Sequence, residues 1–473
     1  MAPLEAARLA RRRLLGPIDI QLRLLAAWTG ENPMDVYEEL AKANPRSKEI
    51  YERNTRVLAQ EVVGTVFLPY PFYAASAKGS KITDADGHEY IDLTMGFGPL
   101  MLGHNPDIAV NAAKEAADKA LMLGIPNPYQ GELAELLVEA SPCAERVMFC
   151  NTGTEATMYA IRLARALTGK HEIAMFDGSY HGAHDYVIMQ GDLDPNPSEP
   201  ATRAQGSGVP PATVEQIKFL PYRDPHAFEL IEKHADELAC VLIEPVQSSN
   251  PRLDVGDYLK ELREVCTRTG VLLILDEVIT GFRLAYGGGQ ERFGIKADLA
   301  TYGKIIGGGL PIGAVAGSQE LMKPFDMFGS PNAIFAGGTF GGNPMSMLTG
   351  AAVLRELKAR PEIYDEMKAR GDGLAARIND FLREGDYPAQ LLHADSMFHL
   401  IFSKDPVERG RHGADEQTMR LEHLYYAHLL KRGVIVPGIH LFFISAAHTE
   451  ADIDRVVEAM KDSFRAVREA GGF

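Results

Sequence analysis

The sequence is poor in residues that staple or anchor a chain. Its four cysteines, Cys143, Cys150, Cys240 and Cys266, are irregularly spaced and form no Cys-X-X-Cys pair. That excludes a disulfide framework and a zinc ribbon. No apolar run reaches the roughly 20 residues a membrane span requires. Positive charge is scarce, with 48 Lys+Arg against 64 Asp+Glu and a net charge of −16. This argues against a surface built to coat nucleic acid or anionic lipid. What is present is ordinary for a globular chain of 473 residues, 46% hydrophobic and 24% charged, which excludes wholesale disorder. The expectation is a soluble, cytoplasmic protein with a large core and small-molecule ligands.

Residues 1–60 read as a helical extension punctuated by Gly16-Pro17, Gly30 and Pro45. Arg8, Arg11, Arg12 and Arg13 suit either a transit-like helix or a plain surface helix. The flanking Glu5 and Asp19, and the lack of a small-residue cleavage pattern, favour the latter. Residues 61–100 read as the first part of a small domain, with two short strands over Lys81–Asp92 joined at Asp86-Gly87. From 101 to 345 the pattern alternates. β-rich runs at Arg146–Cys150, Glu172–Phe176, Ala239–Ile243, Val271–Leu275 and Ala314–Gly317 are separated by helical patterns such as Ala160, Leu163, Ala164 and Leu167. Nearly continuous apolar strands alternating with helices predict a parallel sheet covered on both faces, an α/β fold whose ligands sit beyond the carboxyl ends of the strands. Residues 190–213, rich in Gly, Pro, Ser and Asp, read as one long lid-like loop. Residues 346–473 read as a second, smaller α+β domain with a short sheet around Met397–Phe402 and Val434–Ser445.

The chemistry-bearing residues cluster at the predicted strand ends. Thr152, Gly153 and Thr154 follow a strand and open a helix, a cradle for an anion or simply an N-cap. Asp276 ends the buried run Val271–Leu275, where a carboxylate needs a cationic partner such as a protonated pyridine nitrogen, or else caps the next loop. Lys304 follows the β-like run Leu299–Tyr302 and precedes three glycines, Gly307–Gly309. Desolvated there, its amine is a candidate Schiff-base nucleophile rather than one more solvated lysine. Tyr180 can stack on a flat heterocycle or serve as a rim aromatic. His181 and His184 read as structural, because no acid or thiol completes a metal site. Gly337–Pro344 is a glycine-rich loop whose Thr339 can cap a phosphate. Phosphate cradle, stacking ring, buried acid and strand-end lysine together match each part of pyridoxal 5′-phosphate.

On residues 151–156, 180–182, 276–283, 303–309 and 338–344, the sequence resembles the class III pyridoxal-phosphate-dependent aminotransferases, closest to glutamate-1-semialdehyde 2,1-aminomutase-like members, over roughly residues 60–470. The resemblance implies fold type I: a large domain with a mainly parallel seven-stranded sheet, a small α+β domain, and a homodimer whose active sites are shared between subunits. It implies Lys304 as the Schiff-base lysine and Asp276 as partner of the pyridine nitrogen. It places Thr152, Gly153 and Thr154 at the phosphate, with Thr339 reaching in from the partner subunit. Tyr180 and Val278 fall on the two ring faces, and Gln247 on the ring hydroxyl.

The departures bear on substrate. Aminomutases carry Ser-Pro-Val-Arg-Ala-Phe near the first strand, whose arginine helps hold a carboxylate. Here Val62–Phe67 has no arginine, and Arg56 is a candidate substitute only if it leaves its helix face. His440 stands where the aminomutase glutamate would meet a substrate amine, and the wall Leu441-Phe442-Phe443 is apolar. Ser249 replaces the asparagine aimed at the ring hydroxyl. Loss of two charge-assisted anchors, each worth about 1.5–3 kcal/mol, predicts transfer from an apolar amine or β-amino acid-like donor to an oxo acceptor. Intramolecular isomerisation of the semialdehyde is the alternative, and a non-catalytic binding protein on this scaffold is the remote one.

Overall fold

The computed structural model describes residues 34–59, 72–192, 200–407, 416–438 and 441–473. Val62–Phe67 and Ile439-His440 lie outside the described residues, as does most of the N-terminal extension. Two helices of that extension, Met34–Ala43 and Pro45–Asn54, are described.

The chain first forms β1 (Ala74–Lys78), β2 (Lys81–Asp84) and β3 (Glu89–Asp92), an antiparallel meander. The Asp86-Gly87 turn between β2 and β3 has a second use. Asp86 accepts the backbone N–H groups of Arg46 (2.6 Å) and Ser47 (2.9 Å), satisfying orphan donors at the start of the Pro45–Asn54 helix.

A seven-stranded sheet follows. Its members are β4 (Arg146–Cys150), β5 (Glu172–Phe176), β8 (Ile217–Leu220), β9 (Leu238–Ile243), β10 (Leu272–Asp276), β11 (Leu299–Gly303) and β12 (Gly313–Gly317), in the spatial order β4-β12-β11-β10-β9-β5-β8. Every residue of β9, β11 and β12 is buried, as the apolar runs require when helices cover both faces. All neighbours pair in parallel except β12, which runs antiparallel to both β11 and β4. The reversal matters for the site. It brings the start of β12, rather than its end, to the edge where the other strands finish, with Gly313 opposite both Cys150 and Gly303.

The structure corrects the reading of 190–213 as one loop. Met189–Asp192 (β6) and Ala201–Ala204 (β7) form an antiparallel pair, and Pro211–Val214 is a helical turn. The ladder is made by backbone groups, so a Gly- and Asp-rich composition does not reveal it. The C-terminal sheet is also divided differently. Gln390–Ala394 (β13), Met397–Ile401 (β14) and Phe442–Phe443 (β16) form one antiparallel sheet, whereas Val434–Ile435 (β15) leaves it to pair in parallel with β3. The helix Glu450–Glu469 closes the chain. It opens on a capping box in which Thr449 and Asp452 satisfy each other's backbone N–H groups.

Candidate active site

A cavity of about 360 Å³ lies at the carboxyl edge of the large sheet. Its wall is drawn from the loops after β4, β5, β9, β10 and β11 and from the segment leading into β12. Of the residues singled out in the sequence, it brings together Thr152, Gly153, Thr154, Tyr180, Asp276, Val278 and Lys304.

Asp276 closes β10 and is 5% exposed. Its Oδ1 accepts the Thr301 hydroxyl (3.0 Å) and the Val278 N–H (3.1 Å), and its Oδ2 lies 2.7 Å from His181 Nδ1. His181, read in the sequence as structural, is therefore tied to the buried acid. Its Nε2 is buried and, among the described residues, has no hydrogen-bond partner. His184 supports it from behind: Thr157 Oγ1 donates to the His181 carbonyl (2.8 Å) and lies 3.3 Å from His184 Nε2. Burial pulls the His184 imidazole down to about 4, so it is neutral at pH 7.

Lys304 stands one residue past β11, next to the strand that carries Asp276. Its backbone is left-handed (φ +50°), a conformation that costs a non-glycine residue and persists only where the surroundings enforce it. Burial lowers the proton affinity of its amine, and the buried Arg283 guanidinium adds to this, while Asp276 and Glu244 oppose it. Arg283 donates to the Gly98 carbonyl and to Ser396 Oγ (3.1 Å), stacks on Phe443 and, among the described residues, has no carboxylate partner.

The helix Gly153–Thr168 points its N-terminus at the same cavity. Thr152 caps it by accepting Glu155 N–H (3.0 Å), and Glu155 returns the bond to Asn151 N–H (2.6 Å). A Cβ at Gly153 would stand 2.9 Å from Val278 Cγ1, so only glycine lets the helix start close against that wall. Tyr180 is 55% exposed and overhangs the opening.

Two expected site residues are not part of the wall. Gln247 is fully buried and donates from Nε2 to the Asp177 carbonyl (2.7 Å), joining the loop after β9 to the turn after β5. Ser249 makes a parallel bond to the Gly178 carbonyl (2.7 Å). Thr339 is exposed, on the segment that also exposes Phe328, Phe335 and Phe340. Glu244, by contrast, was passed over in the sequence and lines the cavity. The available signal was its position, an acid directly after a wholly apolar strand, like Asp276. Among the described residues no cluster of His, Cys, Asp and Glu could hold a metal ion, and no helix is long and apolar enough to cross a membrane.

A mainly parallel sheet with one reversed strand, a strand-end lysine beside a buried acid and a helix N-terminus facing both define fold type I of the pyridoxal-phosphate-dependent transferases. Residues 66–464 match the aminotransferase class-III family, and the chain belongs to it. It is 40% identical to a glutamate-1-semialdehyde 2,1-aminomutase of Methanothermobacter thermautotrophicus over 423 residues, 88% of this chain and 98% of that protein. Among solved structures it is similar to an omega-transaminase from Sphaerobacter thermophilus (TM-score 0.83, 34% identity, 89% of this chain and 98% of that one). It is also similar to a beta-phenylalanine aminotransferase from Variovorax paradoxus (TM-score 0.82, 32% identity, 95% and 98%).

Proposed function

We propose that this class III enzyme holds pyridoxal 5′-phosphate in the cavity and transfers an amino group from an apolar amine or β-amino acid-like donor to an oxo acceptor. The placement of Lys304 beside Asp276, with the helix N-terminus at Thr152–Thr154 facing both, carries this reading. The residues present fit the group. The helix N-terminus at Thr152–Thr154, which faces the cavity with two hydroxyls and a glycine, suits a phosphate, Tyr180 and Val278 suit the two faces of a flat ring, and Asp276 retains acceptor capacity on Oδ2 beyond its bond to His181.

When bound, the cofactor supplies an aldehyde for amines and a ring that accepts the electrons released at the substrate carbon. The remaining chemistry falls to the chain. Lys304 offers an amine whose proton affinity is lowered by burial, so it can act as nucleophile and then carry a proton between neighbouring carbons. Asp276, held by Thr301, Val278 and His181, presents its carboxyl group where a protonated ring nitrogen would lie. Pro99, Ile279, Leu310, Pro311 and Ile312 give the cavity an apolar wall.

A homodimer is part of the proposal. Phe328 (99% exposed), Phe335 (73%) and Phe340 (63%) flank Thr339 on a face that a second copy would cover, bringing Thr339 to the partner's phosphate. The four free, buried cysteines fit a reducing cytoplasm. The division into 1–60, 61–100, 101–345 and 346–473 is retained as our domain reading.

One specific observation favours a second reading, semialdehyde aminomutase: the 40% identity to an enzyme of that name. Against it stand the arginine-free Val62–Phe67 and His440. A titration of the pyridoxal-loaded protein with glutamate, alanine, an aromatic β-amino acid, a simple amine and glutamate semialdehyde separates them. Release of a carbonyl product from one donor alone supports intermolecular transfer. Turnover of the semialdehyde alone, with no added acceptor, supports the aminomutase. Retained turnover in Lys304→Ala would overturn both.

A further inference from the structure

Two carboxyl groups stand at the carboxyl edge of the sheet. Glu244 follows β9 and Asp276 ends β10, and Ile243 is paired with Leu275, so the two acids emerge side by side from neighbouring strands. Lys304 emerges from the next strand over. Glu244 is 3% exposed, and its oxygens accept Ser248 N–H and Tyr180 N–H, each at 3.1 Å. Among the described residues it has no ion pair, and the nearby imidazole of His181 is bonded to Asp276 instead. Around it are Tyr180 and His181 from the turn after β5, Tyr222 after β8, Asp276 and Lys304.

We propose that Glu244 is a positioning residue for the reaction, whose charge at this edge governs whether Lys304 carries a proton. The inference rests on the role given to Lys304 above. Two carboxylates close together in a buried site cannot both ionise freely, and each ionised one draws a proton toward a neighbouring amine. Burial and the charge of Asp276 push the Glu244 acid up to about 7, so its charge changes in the neutral range. In its neutral form it no longer opposes the loss of the Lys304 proton.

The test uses the pyridoxal-loaded enzyme and reads the pH midpoint of its near-visible absorbance change, together with cofactor affinity by equilibrium dialysis. Glu244→Gln removes the charge and keeps one acceptor, while Glu244→Asp keeps the charge with shorter reach. The expected result is a midpoint lowered by about one pH unit in Glu244→Gln, a roughly tenfold weaker hold on the proton, and little change in Glu244→Asp. Equal displacement in both variants, or none in Glu244→Gln, overturns the proposal, because a merely structural role moves both alike. Glu244→Ser substitutes if Glu244→Gln does not fold. If the wild-type absorbance does not depend on pH, or persists in Lys304→Ala, the assignment of Lys304 itself fails. If it is pH-dependent and lost in Lys304→Ala, an unmoved Glu244→Gln refutes only this inference.

Discussion

Asp276→Asn exchanges a charged acceptor for an amide at a position where each lone pair can be counted. Oδ1 is occupied by Thr301 and Val278, and Oδ2 by His181, with one acceptor direction remaining for a ligand. If the asparagine oxygen keeps the Oδ1 bonds, its NH₂ faces both His181 and the cavity. His181 can adapt by moving its proton to Nε2, which has no other partner among the described residues, so the fold survives. The ligand can adapt only by giving up its ring proton, so that the nitrogen accepts from the amide and the charge-assisted bond and the ring's positive charge are both lost. Losing one charge-assisted bond costs about 1.5–3 kcal/mol, or roughly 10- to 150-fold in affinity for pyridoxal phosphate. The assay is equilibrium dialysis beside a thermal melt, followed by a half-reaction with one donor. His181 can re-pair with the amide, so the main loss is expected in cofactor affinity and rate, and the melt of the cofactor-free chain reads separately any cost of breaking the buried Asp276–His181 pair. Affinity and half-reaction rate both within twofold of wild type would refute the account of Asp276.

Stability should depend on pH through Glu244. Its acid is raised from 4.5 to about 7 in the fold, so the unfolded chain gives up the proton first. Stability from this group is therefore full below 4.5, falls as pH rises toward 7, and is ~3 kcal/mol lower at pH 8 than at pH 4. Urea unfolding across that range should lose this component of slope in Glu244→Gln; parallel slopes would contradict it. Gly313→Ala places a Cβ 2.1 Å from the Thr152 carbonyl, a backbone atom that cannot step aside. We expect about 1–3 kcal/mol of destabilisation and weaker cofactor binding, read by melting and dialysis. Thr449→Ala removes the acceptor of Asp452 N–H in the capping box and should cost about 0.5–2 kcal/mol with kcat unchanged.

The strands of the large sheet were legible because burial on both faces leaves no polar alternation, so their apolar runs stand out from the chain. Ile217–Leu220 did not, since four residues containing Lys218 carry too short a pattern to separate from a loop. Strand order and the reversed direction of β12 are properties of connection and pairing, on which side-chain composition says nothing. The same holds for β15, whose partner is remote in sequence. Within the site, Asp276, Lys304 and Thr152–Thr154 were found because each follows or ends a strand and so must project beyond the sheet. Gln247 occupies a similar position in sequence, yet its amide is bonded to Asp177 O, a choice that only three-dimensional neighbours determine. His181 reads as structural from its neighbours in sequence, and its bond to an acid 95 residues away is invisible locally.

The parallel pairing of β15 with β3 joins Val434 to Ile91, 343 residues earlier. During synthesis at about 5–20 residues per second, β3 leaves the ribosome roughly 17 to 70 s before its last neighbour exists. Through that interval the N–H groups of Ile91 and Leu93, which finally bond to Gly433 and Ile435, border an unfinished edge, while the seven-stranded sheet is already complete by Gly317. A chain cut short before Gly433 would hold every strand of the large sheet and still leave β3 with an open edge.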